Sequence, residues 1–180
     1  DLRGGSGYAP HHRNARPWSP IMSDLMHGAT ANVLDAIGNT PIVRLNHMAA
    51  HVESDIYVKL EYLNPGGSMK DRIGLNIIEN AERDGLLQPG GTVVEATSGN
   101  TGMGLCMVAA VRGYKTIMVM PDKMSEEKIA SLRAMGAKVV VTPTNVEPDD
   151  PRSYYCVSKR IAEETPNAFY ANQYFNPSNP

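Results

Sequence analysis

The sequence has few cysteines and no long apolar run, and each shortage excludes a class of protein. Only Cys106 and Cys156 occur among 180 residues, which argues against a disulfide framework or a cysteine-rich metal site and indicates a reducing compartment. No apolar stretch is long enough to cross a bilayer, and the first residues lack the apolar core of a signal peptide. A cytoplasmic protein without a membrane partner is therefore expected.

An excess of charge of one sign is also missing. Lys and Arg total 17 and Asp and Glu total 19, so the formal net charge is −2, and the two signs are interspersed. Such a balance gives no electrostatic reason to expect a nucleic-acid partner. Hydrophobic residues make up 42% of the chain, which is typical of a globular protein with one sizeable core.

Strand and helix patterns alternate through most of the chain. Residues 1–30 are rich in Gly, Pro, Ser, His and Arg, so a mobile tail is expected there. The periodicity that follows predicts a short helix over 31–37, strands over 42–45, 56–60, 92–95, 116–120, 139–141 and 168–170, and helices over 73–83, 101–112, 125–136 and 149–164. This alternation predicts an open α/β fold, a mostly parallel sheet with helices on both faces. Ligands bind such sheets beyond the carboxyl ends of the strands.

One lysine stands where a glycine-rich turn becomes the first turn of a helix. The turn begins at Gly66, and the lysine is Lys70. The positive end of the helix dipole and the neighbouring Arg72 act on its amine, which makes Lys70 a candidate nucleophile able to form a Schiff base. The same residues also fit an ordinary helix start, with Ser68 as the N-cap and Lys70 exposed.

A second loop, Thr97-Ser98-Gly99-Asn100-Thr101-Gly102, follows the strand expected over 92–95. Its glycines let the backbone approach a ligand, and the helix after it offers unpaired N–H groups to a carboxylate or phosphate. A capped helix with a Ser/Thr-rich turn is the alternative interpretation. The loop is neither a P-loop nor a Gly-x-Gly-x-x-Gly turn, which disfavours a nicotinamide dehydrogenase.

Together the two loops resemble the paired signatures of pyridoxal-phosphate enzymes of the tryptophan-synthase β family, which have fold type II. Residues 64–72 and 97–102 carry the resemblance, and residues 37–41 are similar to the family's opening. The resemblance covers residues from about 33 to 180. It implies a two-domain fold, with residues 31–63 in a larger catalytic subdomain, 64–174 forming a smaller α/β subdomain with both loops, and 175–180 returning towards the larger one.

The resemblance also implies a role for each matching residue and pyridoxal 5'-phosphate as the cofactor, with no metal. Lys70 matches the catalytic Schiff-base lysine, and Asn100 matches the residue that contacts the ring hydroxyl oxygen of the cofactor. The residues that match the grip on the amino acid's α-carboxylate are Thr97, Ser98, Gly99, Thr101 and Gln173. Tyr174 matches a residue near the leaving group or the incoming thiol. For Gln173 and Tyr174 the alternative is structural, a strand end packed under a loop.

Four stretches point to one branch of that family. They are Gly66-Gly67, the segment 120–125 with Lys123, the segment 153–158, and Gln173-Tyr174. They resemble the branch that condenses L-serine with L-homocysteine to L-cystathionine, in the transsulfuration route to cysteine. The alternatives are the branch that makes cysteine from O-acetylserine and sulfide, and a non-catalytic domain that kept the fold. The resemblance further implies a homodimer with small amino acids as ligands.

Two features of the family do not match residues of this sequence. The cradle for the cofactor phosphate and the serine facing the pyridine nitrogen lie downstream of Pro180 in the family, so the chain is expected to be the N-terminal part of a longer enzyme. Some members bind haem through an N-terminal cysteine and histidine. His11, His12 and His27 are available, but no cysteine precedes Cys106, so no haem is expected.

Overall fold

The computed structural model describes residues 28–179. The tail expected over 1–30, with its three histidines, therefore lies outside the described residues except for 28–30. The helices are α1 (Lys70–Arg83), α2 (Asn100–Arg112), α3 (Glu126–Ala134) and α4 (Tyr154–Glu164). The strands are β1 (Ile42–Arg44), β2 (Tyr57–Lys59), β3 (Thr92–Ala96), β4 (Lys115–Pro121), β5 (Lys138–Thr142) and β6 (Ala168–Tyr170), and two 3-10 helices cover Val33–Ala36 and Glu61–Leu63.

Four parallel strands form the main sheet in the order β5-β4-β3-β6. Val94 of β3 pairs with Ile117 of β4 on one side and with Tyr170 of β6 on the other. All five residues of β3 are buried, as expected for a strand covered on both faces. The open α/β sheet expected from the alternating pattern is therefore confirmed, and the loop that follows β3 lies at the carboxyl end of a central strand.

A separate antiparallel pair precedes this sheet. β1 and β2 pair with each other through Val43 and Val58 and form a two-stranded sheet of their own. The strand that leads towards Lys70, β2, therefore does not belong to the main sheet. The 3-10 helix Glu61–Leu63 lies between β2 and Lys70 in the sequence. Residues 32–180 form one unit by their contacts, so the division into subdomains at residues 63 and 174 stays a prediction.

Two glycines allow helices α1 and α2 to pack closely. A Cβ added at Gly74 of α1 would lie 2.5 Å from the carbonyl carbon of Gly104, and a Cβ at Gly104 would lie 2.6 Å from the carbonyl oxygen of Lys70. Any side chain at either position would force the two backbones apart. Ile77 and Ile78 of α1 are fully buried in the core beside this contact. The packing therefore fixes the start of α1 against α2.

Helix α4 begins later than its sequence pattern predicts. A start at residue 149 was expected, but residues 149–152 form turns in which Asp150 accepts the backbone N–H of Arg152 at 2.8 Å. The helix starts only after Ser153, whose hydroxyl accepts the N–H of Cys156 at 3.2 Å. Asp150 closes a turn instead of opening the helix, because Asp side chains bond readily to nearby backbone N–H groups.

The short helix expected over 31–37 also differs in type and in length from that prediction. It is a 3-10 helix over Val33–Ala36, and Asn32 accepts the N–H of Leu34 at 2.8 Å to cap it. Within residues 28–179, no helix is both long enough and apolar enough to cross a membrane.

Candidate functional site

One cavity of about 360 Å³ brings together every residue that the sequence singled out for the site. It lies at the carboxyl end of β3, beside the first residue of α1. The residues that line it are Lys70, Thr97, Ser98, Gly99, Asn100, Thr101, Lys128, Gln173 and Tyr174. Two of them are lysines and none is a carboxylate, so the cavity is suited to an anionic ligand.

Lys70 is the first residue of α1 and is half-buried. Its backbone N–H donates to the hydroxyl of Ser68 at 3.1 Å. Gly66 donates its N–H to the fully buried carboxyl of Asp71, and a Cβ at Gly66 would lie inside van der Waals contact of that group. Burial raises the pKa of Asp71. The turn before Lys70 is thus closed by a contact that only glycine permits at position 66.

Arg72 turns towards the 3-10 helix and binds Glu61. Its Nε lies 2.8 Å from one carboxylate oxygen of Glu61, and its Nη2 lies 3.0 Å from the other. The hydrogen bond from Arg72 lowers the pKa of Glu61 to about 2. The charge of Arg72 is therefore balanced by Glu61, so it acts less on the amine of Lys70 than the sequence alone indicates. The pair instead ties the start of α1 to the segment before it.

Thr97 organises the loop that follows β3. Its hydroxyl oxygen accepts the N–H of Gly99 and the N–H of Gly102, each at 3.1 Å, and its side chain is buried. Gly99 has a φ of 144°, a backbone conformation that side chains with a Cβ rarely adopt. Thr97 therefore reaches the cavity, but its oxygen is engaged in holding the loop in shape.

The loop leaves several donors without a protein partner. Within residues 28–179, the backbone N–H groups of Ser98, Asn100 and Thr101 make no hydrogen bond, and neither do the exposed side chains of Ser98 and Asn100. They lie at the N-terminus of α2, where the helix dipole favours negative charge. This part of the cavity can bind a carboxylate or a phosphate.

Gln173 joins the loop to the segment after β6. Its side-chain oxygen accepts the hydroxyl hydrogen of Thr101 at 2.6 Å, and its Nε2 donates to the carbonyl oxygen of Ala96 at 3.2 Å. Tyr174 is 55% exposed, and its ring packs edge-on against Tyr155 with centroids 5.7 Å apart. Two hydrogen bonds therefore hold Gln173 at the cavity, whereas Tyr174 lines the exposed side of the cavity.

Two residues at or near the cavity were not predicted from the sequence. Lys128 lies on α3 and approaches the loop so closely that a Cβ at Gly99 would lie 3.4 Å from its Cδ, and it has no ion pair in the described part of the chain. Glu95 lies on β3 two residues before the loop and is fully buried, and this burial raises its pKa to about 7. A charged residue inside the apolar run of β3 was the signal for Glu95. No sequence signal marks Lys128. Across residues 28–179, no group of three His, Cys, Asp or Glu side chains could hold a metal.

Comparison with known proteins gives one family and several relatives. The family model described as "Pyridoxal-phosphate dependent enzyme" matches residues 33–180. A cystathionine β-synthase of Apis mellifera is 51% identical over 151 residues, which are 83% of this chain and 30% of that protein. A probable cysteine synthase of Bacillus subtilis is 49% identical over 150 residues, which are 83% of this chain and 47% of that protein.

A solved structure is also similar to this chain. The O-acetylserine dependent cystathionine β-synthase of Helicobacter pylori is 39% identical and superposes with a TM-score of 0.75, over 83% of this chain and 49% of that one. The chain spans about 30% of the length of the curated cystathionine β-synthases that it matches. The resemblance stated from the two loops is confirmed by these matches.

Proposed function

The chain belongs to the family of pyridoxal-phosphate dependent enzymes, and we propose that it carries the lysine and the carboxylate-binding loop of a β-replacing member. The observation that supports this most is the cavity in which Lys70 meets the loop 97–101 and Gln173. A lysine amine and an anion-binding loop are the two groups that must lie side by side when an amino acid reacts at a lysine-bound cofactor.

The residues of the cavity fit pyridoxal phosphate in chemistry. The amine of Lys70 would hold the cofactor covalently, and the side chain of Asn100 has no partner among residues 28–179, so it is free to contact the ring hydroxyl oxygen. Lys128 adds a second positive charge to a cavity whose ligand is anionic. When bound, the cofactor accepts the electrons that the substrate's Cα–H bond leaves behind.

The loop after β3 would bind the amino-acid substrate by its α-carboxylate. The free N–H groups of Ser98, Asn100 and Thr101 offer three donors, and Gln173 keeps the Thr101 side chain in place. A carboxylate held there leaves the substrate's Cα near the start of α1. The amine of Lys70 would then take the Cα proton and later return it.

The reaction that we propose is the condensation of L-serine with L-homocysteine. The hydroxyl group leaves Cβ of serine, the sulfur of homocysteine forms the new bond to Cβ, and L-cystathionine and water result. The identity of 51% to a cystathionine β-synthase supports this choice. The identity of 49% to a probable cysteine synthase supports the alternative, in which acetate leaves and sulfide adds.

Product analysis separates the two reactions. The cofactor-loaded protein that contains this chain is given L-serine with L-homocysteine, or O-acetylserine with sulfide, and the products are identified by mass spectrometry. We expect L-cystathionine from the first pair at the higher kcat/KM. Faster formation of cysteine from the second pair would favour the cysteine synthase reaction. No product from either pair would favour a non-catalytic domain. A homodimer in the cytoplasm remains part of this proposal.

A further inference from the structure

Glu95 is a buried carboxyl group for which the proposed reaction has no use. It is fully buried on β3, inside the sheet and two residues before the loop that lines the cavity. One of its oxygens has no hydrogen-bond partner among the described residues. Burying an acidic group with an unsatisfied oxygen destabilises the folded state by several kcal/mol. We therefore expect Glu95 to have another role.

The other oxygen of Glu95 binds the segment that carries Gln173. Oε2 accepts the backbone N–H of Gln173 at 3.3 Å. The residue before it, Asn172, has a φ of 47°, so the chain turns sharply at that point. The carboxyl therefore contacts the backbone just where a strained turn directs Gln173 into the cavity.

The side chain of Gln173 depends on that backbone position. It must reach the hydroxyl of Thr101 and the carbonyl oxygen of Ala96 at the same time, at 2.6 Å and 3.2 Å. Ala96 is the neighbour of Glu95 on β3, so the strand contacts Gln173 twice, once at its backbone and once at its amide. A small shift of the turn would break one of the two amide contacts.

We propose that Glu95 is a positioning residue that holds the turn at Asn172 and thereby keeps the Gln173 amide on the carboxylate-binding loop. This role deepens the proposed function and rests on it. The carboxylate form is the stronger acceptor for the N–H of Gln173, because hydrogen bonds to ionised groups are about twice as strong as neutral ones. The grip on an amino acid's carboxylate is therefore linked to the protonation of Glu95.

No cation compensates for Glu95 in the described part of the chain. The titratable groups that interact with it are the hydroxyls of Tyr170 on β6 and of Tyr174. Burial raises the pKa values of both, and the charge of Glu95 adds to the effect. Both hydroxyls thus stay neutral at physiological pH, so Glu95 titrates without a charged neighbour, with a pKa raised to about 7 by burial.

The test uses nuclear magnetic resonance of the full chain labelled with ¹⁵N, without substrate or cofactor. We expect the amide resonances of Asn172 and Gln173 to shift with pH with a midpoint near 7, and we expect this shift to vanish in Glu95→Gln. The variant keeps the shape and an acceptor oxygen but cannot ionise. Amide shifts that are the same in both proteins would overturn the proposal.

A binding measurement on the cofactor-loaded protein tests the positioning itself. Glu95→Ala leaves the N–H of Gln173 buried without a partner, so we expect the dissociation constant for L-serine to rise about tenfold at pH 8. Glu95→Gln keeps a neutral acceptor oxygen for that N–H, so we expect its dissociation constant for L-serine to lie between those of the wild type and Glu95→Ala. Thr116→Val, at a buried position of β4 outside the cavity, is the matched control and should leave the dissociation constant for L-serine unchanged.

The outcomes separate this role from the proposed function. If Glu95→Ala binds L-serine as tightly as the wild type, Glu95 does not position the site. If Glu95→Ala does not fold, the amide titration of Glu95→Gln decides alone. Failure of the wild-type protein to attach the cofactor at Lys70 would refute the proposed function, while the amide titration would still report on Glu95.

Discussion

The hydroxyl of Thr101 donates a hydrogen bond of 2.6 Å to the side-chain oxygen of Gln173, although 71 residues lie between them in the sequence. The first residue stands in the opening turn of α2, and the second follows β6, the strand beside β3. Parallel strands end at the same edge of a sheet, so the loops after β3 and β6 meet there. This contact joins the two segments into one binding site.

Removing this contact should weaken the site without destroying the fold. Thr101→Val keeps the volume but leaves the oxygen of Gln173 buried without a donor, which costs about 1–3 kcal/mol. We expect a comparable loss of stability in urea and about a tenfold weaker affinity for L-serine in the cofactor-loaded protein. Thr144→Val removes an exposed hydroxyl that binds Asp122 and serves as the control. Equal affinities in the two variants would contradict the role of Thr101.

Close packing of α1 and α2 should place Lys70 correctly. Gly104→Ala puts a methyl group where the carbonyl oxygen of Lys70 lies 2.6 Å away, so the helices must separate at a cost of about 1–3 kcal/mol. We expect a lower midpoint of unfolding and slower attachment of pyridoxal phosphate at Lys70. Ala110→Ser, on the exposed side of α2, should affect neither. Normal attachment in Gly104→Ala would mean that the glycine contact does not position the lysine.

Asn100 should matter for turnover but not for stability. Its side chain is exposed and has no hydrogen-bond partner in the part of the chain that the structure describes, so its removal breaks nothing in the fold. If it orients the cofactor ring, Asn100→Ala lowers kcat by about tenfold or more while the free energy of unfolding stays the same. Asn145→Ala, another exposed asparagine, is the control. Unchanged kinetics would remove Asn100 from the site.

Glu95 should make the protein less stable as the pH rises. Burial raises its pKa from 4.5 to about 7 in the folded chain, so between those values the folded state holds a proton that the unfolded state has lost. The contribution of Glu95 to stability is therefore fully present below pH 4.5, is lost as the pH rises from 4.5 through 7, and is lower by roughly 3 kcal/mol at pH 8. Urea unfolding at pH 4 and pH 8 measures this difference once the change that the wild type shares with a variant lacking the carboxyl has been subtracted.

The variant Glu95→Gln isolates that contribution, because every other titrating group is shared with the wild type. We expect the stability difference between the two proteins to change by roughly 3 kcal/mol from pH 4 to pH 8, in favour of the variant at the higher pH. A difference that does not vary with pH would mean that Glu95 has an ordinary pKa in the folded chain.

Local sequence patterns predicted the fold and most of the cavity. The order of strands and helices followed from periodicity, and the two loops around Lys70 and Asn100 were visible as motifs, because glycines and helix starts leave local signals. Gln173 was expected only through the resemblance to a family. Its contact with Thr101 depends on the strand order of the sheet, which no local pattern contains.

The features that local sequence did not indicate depend on contacts between segments that are far apart along the chain. Lys128 reaches the cavity because α3 packs near Gly99, and its own neighbours in sequence look like an ordinary exposed helix. The sequence pattern places Glu95 in a strand, and only the cover on both faces of the sheet shows that its carboxyl is buried. Arg72 was expected to act on Lys70, but Glu61 binds it from a segment that precedes α1.

Chemical labelling of Lys70 tests the central claim most directly. The protein is loaded with pyridoxal phosphate, reduced with borohydride and digested, and the modified peptide is identified by mass spectrometry. We expect the label on Lys70 and none in Lys70→Ala, whereas Lys115→Ala, at an exposed lysine on β4, should be labelled as the wild type is. A label on another lysine, or no label at all, would contradict the claim.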